Sequence, residues 1–145
     1  MTKIITMLVC FFPVLVLANT GESVGYWAVK CGGFGGSIEI DASNKAKVNV
    51  NDNNLYVSTN LVKGSNSKSQ LFYRDVIEST NDKISWESIS KNKPIAELSI
   101  EDGIIHMAWK GFFDVKKKAY IWKVEPDFIV ASGGNVDVEM KKCDF

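Results

Sequence analysis

From Val24 onward, the apolar residues of this chain alternate with polar ones at a period of two, and this alternation constrains the fold more than any other feature. Successive side chains of a strand point to opposite faces, so a period of two lets one face pack on a core. Gly, Asn, Asp and Pro separate the alternating runs, as in chains of short antiparallel strands. We therefore predict an all-β fold, a single antiparallel barrel or barrel-like sandwich of about 8–10 strands.

The strand boundaries follow from these runs and from the turn residues between them. Asp102-Gly103 is the sharpest hairpin signal, because both residue types accept the left-handed backbone of a tight turn. A short helix is expected only near 19–23 or 111–117. The predicted strands lie near residues 24–31, 36–41, 45–50, 54–60, 69–79, 83–89, 94–101, 103–110, 118–125, 127–132 and 135–142.

The strand predicted at 103–110 is apolar on both faces. From Ile104 to Trp109, every position is apolar except His106, the only histidine of the chain. A strand of this kind is covered on both sides, so we expect the region 94–125 at the centre of the sheet. We interpret His106 as a neutral, hydrogen-bonded core residue.

Residues 1–18 have the pattern of a secretory signal peptide. Lys3 precedes an apolar run that ends in the small residue Ala18, at the position that a signal peptidase reads. Cleavage would leave residues 19–145, which we expect to form a single all-β domain. The protein is therefore expected in the bacterial periplasm or secreted, and no later run is long enough to span a membrane.

Two cysteines, Cys31 and Cys143, lie outside the predicted signal peptide. Exported proteins form disulfides, so we expect this pair to be cross-linked. Because Cys31 closes the first predicted strand and Cys143 ends the last, the bond would tie the start of the domain to its end. With both cysteines oxidised and a single histidine, we expect no zinc or other metal site and no cofactor.

The charged and glycine-rich segments give no case for catalysis. The chain has 17 basic and 17 acidic residues, so we expect no nucleic-acid partner and no attraction to a membrane surface. Nothing places two carboxylates at the separation that sugar hydrolysis requires. The glycines from Gly32 to Gly36 precede a strand and lack a following Lys-Ser/Thr, so we interpret them as a mobile hairpin rather than a phosphate loop. We predict that the protein is not an enzyme.

Aromatic residues are the more informative feature for function. The chain has four tryptophans and four tyrosines, most of which we expect in the core. The segment 109–113, Trp-Lys-Gly-Phe-Phe, is the best candidate for an exposed aromatic loop, because it places aromatic rings beside a glycine and a charge where a strand ends. Exposed aromatic side chains anchor protein interfaces.

Three fragments of the chain fit one known family. Cys31 and Cys143 bracket the predicted barrel, Trp109-Lys110-Gly111 is similar to a Trp-x-Lys-Gly segment, and Ser132-Gly133 is similar to the start of a Ser-Gly-x-x-Tyr loop. In these fragments the chain resembles the small periplasmic lysozyme inhibitors of the C-type family, which are exported barrels. The last two fragments stand in reverse order here, and Val136 replaces the tyrosine. The resemblance implies a rigid barrel that inhibits a lysozyme.

A second resemblance supplies the alternative function. Gly25-Tyr26-Trp27 resembles the Gly-x-Trp of the first strand in lipocalins and fatty-acid-binding proteins. Those barrels enclose an apolar ligand, so this resemblance implies a carrier of a small apolar ligand in a cavity inside the barrel.

Our functional hypothesis is an exported binding protein that neutralises another protein, such as a lysozyme or a bacterial toxin that targets the cell envelope. Inhibitors and immunity proteins of this kind bind through a preorganised loop, which loses little entropy in the complex. The expected partner contacts are Trp109, Lys110, Phe112, Phe113, Ser132 and Gly133.

Overall fold

A computed structural model describes residues 21–144 and contains a closed antiparallel barrel of eight strands. The strands are β1 (Gly25–Ala28), β2 (Ser37–Ile40), β3 (Lys45–Asn51), β4 (Leu55–Lys63), β5 (Ser69–Ser79), β6 (Pro94–Glu101), β7 (Ile104–Trp109), β8 (Phe112–Asp114), β9 (Ala119–Ile121) and β10 (Asp137–Cys143). Around the barrel the order is β1-β10-β7-β6-β5-β4-β3-β2, and β2 pairs with β1 to close it. The two other strands, β8 and β9, form a separate ribbon.

The apolar residues that alternate with a period of two form the inner face of the barrel. In the strand register, buried side chains face one another across neighbouring strands: Ile38 lies opposite Val48, which lies opposite Val57. Met107 lies opposite Val138 in the same way on the other side of the barrel. The predicted all-β barrel is confirmed, and its interior is filled with fully buried side chains.

The disulfide joins the first strand region to the last strand, as predicted. Cys31 and Cys143 are bonded, with their Cα atoms 5.5 Å apart and 112 positions apart in the sequence. Cys143 lies opposite Tyr26 in the pairing of β1 with β10, so the chain doubles back outside the barrel after Ala28 to bring Cys31 to it. The bond therefore adds a covalent link beside the pairing of β1 with β10, the first and last strands of the barrel.

The two ends of the barrel differ in the length of their connections. One end, which we call the turn end, carries the tight turns at 41–44, 64–68 and 102–103. The opposite end, which we call the loop end, carries the longer connections at 29–36, 80–93 and 110–136. Because long connections can fold over the end of a barrel, the loop end is the end that these segments can cover.

Two predicted strands are wrong, and both lie in these long connections. The strand expected at 83–89 is a single 3-10 turn, Trp86–Ser88. The strand expected at 127–132 is a short helix, α1 (Asp127–Ala131), which follows Pro126 and buries Phe128 and Ile129. One helical turn is too short for a 3.6-residue period to be detected in the sequence.

The region 111–125 also differs from its prediction. It contains no helix at 111–117 but β8, and only Ala119–Ile121 of the strand expected at 118–125 is extended. Left-handed backbone at Lys118 and Trp122, with φ angles of 53° and 57°, bounds β9 on both sides. The ribbon of β8 and β9 therefore lies outside the barrel sheet, not at its centre.

The predicted signal peptide at 1–18 and the start of the helix expected at 19–23 lie outside the described residues, and Gly21 to Ser23 are not helical. Within residues 21–144, no helix has the length and apolar character needed to cross a membrane.

Candidate functional site

All six predicted partner contacts lie at the loop end, but two of the three aromatic ones are buried. Trp109 is 4% exposed and Phe112 is 0% exposed. Their rings meet edge to face with centroids 5.6 Å apart, and Trp109 packs in the same way on Phe128 of α1 at 5.0 Å. The prediction of an exposed aromatic loop is therefore wrong for Trp109 and Phe112, which close the loop end of the barrel from inside.

The turn at Gly111 explains why these aromatic residues point inward. Gly111 has a φ of +95°, and a Cβ at this position would collide with the carbonyl oxygen of Ile121. The chain therefore reverses tightly after β7, so that the ribbon folds back against the barrel. The Trp109 indole donates a hydrogen bond to the Trp122 carbonyl oxygen at 2.8 Å, which fixes the ribbon in that position.

The other four predicted contacts are at least partly accessible and form two groups. Lys110 forms an ion pair with Glu97 at 3.2 Å, and Phe113 packs edge to face on Tyr120 with centroids 5.2 Å apart. Ser132 is half-buried and Gly133 is exposed at the end of α1. These residues are accessible to a partner, but none of them is a fully exposed aromatic residue.

The exposed aromatic residue at this end is one that the sequence analysis passed over. Phe34 is 82% exposed, the most exposed of the large apolar side chains described. It lies in the segment 31–36, Cys-Gly-Gly-Phe-Gly-Gly, which we call the glycine loop. The sequence does contain a signal for this exposure, which is the position of Phe34 among four glycines. A phenylalanine in the core does not require glycines on both sides.

Several contacts anchor the glycine loop, which the sequence alone suggested would be a mobile hairpin. The disulfide holds Cys31 at its start. Near its end, the Gly35 amide donates a hydrogen bond to Asp52 Oδ2 at 2.9 Å. Gly36 packs so closely that an added Cβ would lie 2.7 Å from the Phe128 ring. The loop therefore presents Phe34 from a backbone that is tied down on both sides.

Two carboxylates, Asp52 and Asp127, connect the glycine loop to α1. Asp127 Oδ2 accepts the Asp52 amide at 2.7 Å, and its Oδ1 accepts a hydrogen bond from the Asn51 side chain at 2.9 Å. Since Asp52 also holds Gly35, the loop, the β3–β4 turn and α1 are held by a single hydrogen-bond network. Networks of this kind hold surface segments in a defined arrangement.

The backbone next to Phe34 runs beside α1. A Cβ at Gly35 would lie 3.3 Å from the Cβ of Ala131, so the loop runs directly beside the helix. Val130 is 66% exposed on the same short helix. A groove of about 360 Å³ lies beside the helix, and its lining includes Ala131, Ser132 and the outward-facing Asp137, Glu139 and Lys141 of β10. We call Phe34, Val130 and Ala131 together the apolar face.

His106 is not a core residue, contrary to the prediction. Its side chain is 39% exposed on the outside of β7, and Nδ1 lies 3.8 Å from Glu139 Oε1 on β10. The two faces of β7 are therefore unequal: Ile105, Met107 and Trp109 fill the barrel, whereas His106 faces outward. No group of three or more His, Cys, Asp or Glu within residues 21–144 could hold a metal ion.

The turn end holds a pocket of about 380 Å³. Leu61, Leu98, Ile100 and Ile105 line its apolar part, and Lys63 lies among the polar residues around it. Beneath it the barrel is filled by side chains such as Met107 and Leu71, so the space is at the mouth and not at the centre of the barrel.

Comparison with protein-family models, with curated proteins and with solved structures produced no match to this chain.

Proposed function

We propose that this protein is exported to the periplasm and neutralises another protein, such as a lysozyme or a toxin that targets the cell envelope, by binding it at the loop end of the barrel. The single observation that carries this proposal is Phe34, an aromatic side chain that is 82% exposed on an anchored loop. Aromatic residues supply a large share of the binding energy in protein interfaces when a partner encloses them.

The surroundings of Phe34 suit a protein contact. Burying apolar surface yields roughly 25 cal/mol per Å², so an exposed phenylalanine gains from enclosure in a partner's cleft. The anchored glycine loop has little conformational freedom left to lose on binding. Val130 and Ala131 extend the apolar face, and Ser132 and Gly133 supply polar atoms and backbone at its edge.

The contacts expected from the sequence take different roles in this proposal. Ser132 and Gly133 are partner contacts beside the apolar face, and Lys110 and Phe113 are contacts further along the same end. Trp109 and Phe112 support the surface from below, because their rings are buried. The disulfide is compatible with an exported protein, and it supports the assignment to an oxidising compartment such as the periplasm.

The test is a pull-down with the purified, oxidised protein against a panel of muramidases and any toxin encoded beside its gene, followed by an activity assay. We expect one partner to form a one-to-one complex and to lose its activity. Phe34→Ala should weaken that complex at least tenfold, as loss of a hot spot of about 2 kcal/mol implies.

The matched control is Ile77→Ala, which removes another exposed apolar side chain from the barrel wall. It should leave the affinity unchanged. If Phe34→Ala and Ile77→Ala bound every identified partner as tightly as the unmodified protein, the loop end would not be the binding surface.

A further inference from the structure

The pocket at the turn end lies on the opposite end of the barrel from the apolar face, so the proposed protein contact does not use it. Its volume of about 380 Å³ falls within the range of small-molecule sites, roughly 300–1,000 Å³. Five strands contribute to its wall, and the turn at 64–68 and the residues preceding β1 form its edge.

The inner part of the pocket is aliphatic. Leu61, Leu98 and Ile105 are almost completely buried, and Ile100 is partly exposed at the mouth. The barrel beneath is filled, so a ligand would have to lie across this floor rather than thread into the core. A flexible apolar chain can lie along such a floor.

The edge of the pocket carries more positive than negative charge. Lys63 and Lys68 are exposed and line the pocket, whereas Glu22 is the single carboxylate in its lining. Within residues 21–144, neither lysine belongs to an ion pair. Lys142 adds a further cation at the same end, with its ammonium 5.7 Å from the centre of the Trp27 ring.

We propose that the turn-end pocket binds a monomeric fatty-acid-like anion, with its acyl chain on the Leu/Ile floor and its carboxylate beside Lys63 and Lys68. The aliphatic floor selects the chain through the hydrophobic effect, and the ammonium groups of Lys63 and Lys68 select an anionic head group. This site is independent of the protein contact at the loop end, and either one could exist without the other.

The test is isothermal titration calorimetry of the exported, purified protein with dodecanoate, dodecanol and acetate. We expect dodecanoate to bind with one-to-one stoichiometry, dodecanol to bind more weakly, and acetate not to bind. The double variant Lys63→Gln/Lys68→Gln should weaken dodecanoate about tenfold and leave dodecanol unchanged, because only the carboxylate loses its partners. Ile100→Thr should weaken both dodecanoate and dodecanol.

The matched control is Lys117→Gln, which removes an exposed lysine at the far end of the barrel and should not change dodecanoate binding. The proposal is wrong if dodecanoate does not bind, if it binds with multiple stoichiometry, or if the double variant binds it as tightly as the unmodified protein. Binding to anionic phosphatidylglycerol vesicles without binding of monomeric dodecanoate would also overturn it, because a lipid surface would then be the partner.

Discussion

At the scale of single residues, backbone conformation and close packing act together at Gly36. Its φ is +75°, and an added Cβ would lie 2.7 Å from Phe128 Cδ1 and 2.9 Å from the Asn49 carbonyl oxygen. We expect Gly36→Ala to lower the free energy of unfolding by about 2–4 kcal/mol, since left-handed strain and overpacking add. Urea denaturation monitored by tryptophan fluorescence measures this loss.

Gly32→Ala is the matched control for that variant. Gly32 has nearly the same φ, +70°, but an added Cβ would meet nothing within 4 Å. The stability that Gly32→Ala loses should therefore reflect backbone strain alone and amount to about 1 kcal/mol. Equal losses in the two variants would mean that contact between the glycine loop and Phe128 contributes nothing to stability.

At the scale of elements, the ribbon of β8 and β9 closes the loop end through one of two adjacent phenylalanines. Phe112 is fully buried against Trp86 and Trp109, whereas Phe113 lies on the partly exposed face of the ribbon. We expect Phe112→Ala to cost about 3–5 kcal/mol of stability, the usual loss for a core phenylalanine. Phe113→Ala should cost clearly less in the same thermal or urea denaturation. A reversed order would contradict the burial of Phe112.

Asp114 anchors the same ribbon and makes its stability depend on pH. Its Oδ1 accepts the backbone amides of Lys117 and Lys116 at 3.1 Å and 2.9 Å, and these hydrogen bonds hold the pKa of Asp114 below its ordinary value. A lowered pKa in the folded protein means that the ionised carboxylate stabilises the fold above the ordinary aspartate pKa. That contribution is lost as the pH falls through the folded pKa.

The variant Asp114→Asn tests this pH dependence. Because it lacks the titrating group, its free energy of unfolding should fall less steeply than that of the unmodified protein between neutral pH and about pH 3, around and below the ordinary aspartate pKa. Urea denaturation across this range measures both slopes. Parallel slopes would show that Asp114 has the same pKa in the folded and the unfolded protein.

At the scale of the whole molecule, the disulfide stabilises the barrel by restricting the unfolded chain. The loop between Cys31 and Cys143 spans 112 residues, for which chain entropy gives up to about 5 kcal/mol. We expect the Cys31→Ser/Cys143→Ser variant to unfold at a markedly lower urea concentration than the oxidised protein. Unmodified protein treated with reductant should match the variant, and a variant as stable as the oxidised protein would contradict this role.

The all-β class and most strand positions were predictable from the sequence, because each depends on short-range information, whereas the choice between a barrel and a barrel-like sandwich was not. Alternation from residue to residue sets which side chains face inward, and turn residues such as Asp102-Gly103 set where strands end. The strands assigned at 69–79 and 94–101 are confirmed residue for residue. The two cysteines of the predicted exported part could pair in one way only.

The candidate site was not predictable to the same degree, since exposure depends on how distant segments pack. Trp109 and Phe112 look like an exposed loop in the sequence, yet the reversal at Gly111 and the contact with Phe128 bury both. Phe34 looks like part of a mobile hairpin, yet its loop is anchored by the hydrogen bond that the Gly35 amide donates to Asp52 of the β3–β4 turn and by the disulfide to the distant Cys143. Local pattern therefore determined that this chain forms a cross-linked antiparallel β-fold, and it left open whether that fold is a barrel or a barrel-like sandwich. Only the tertiary structure decided which aromatic residues closed the barrel and which one faced solvent, because burial results from long-range contacts that no local pattern encodes.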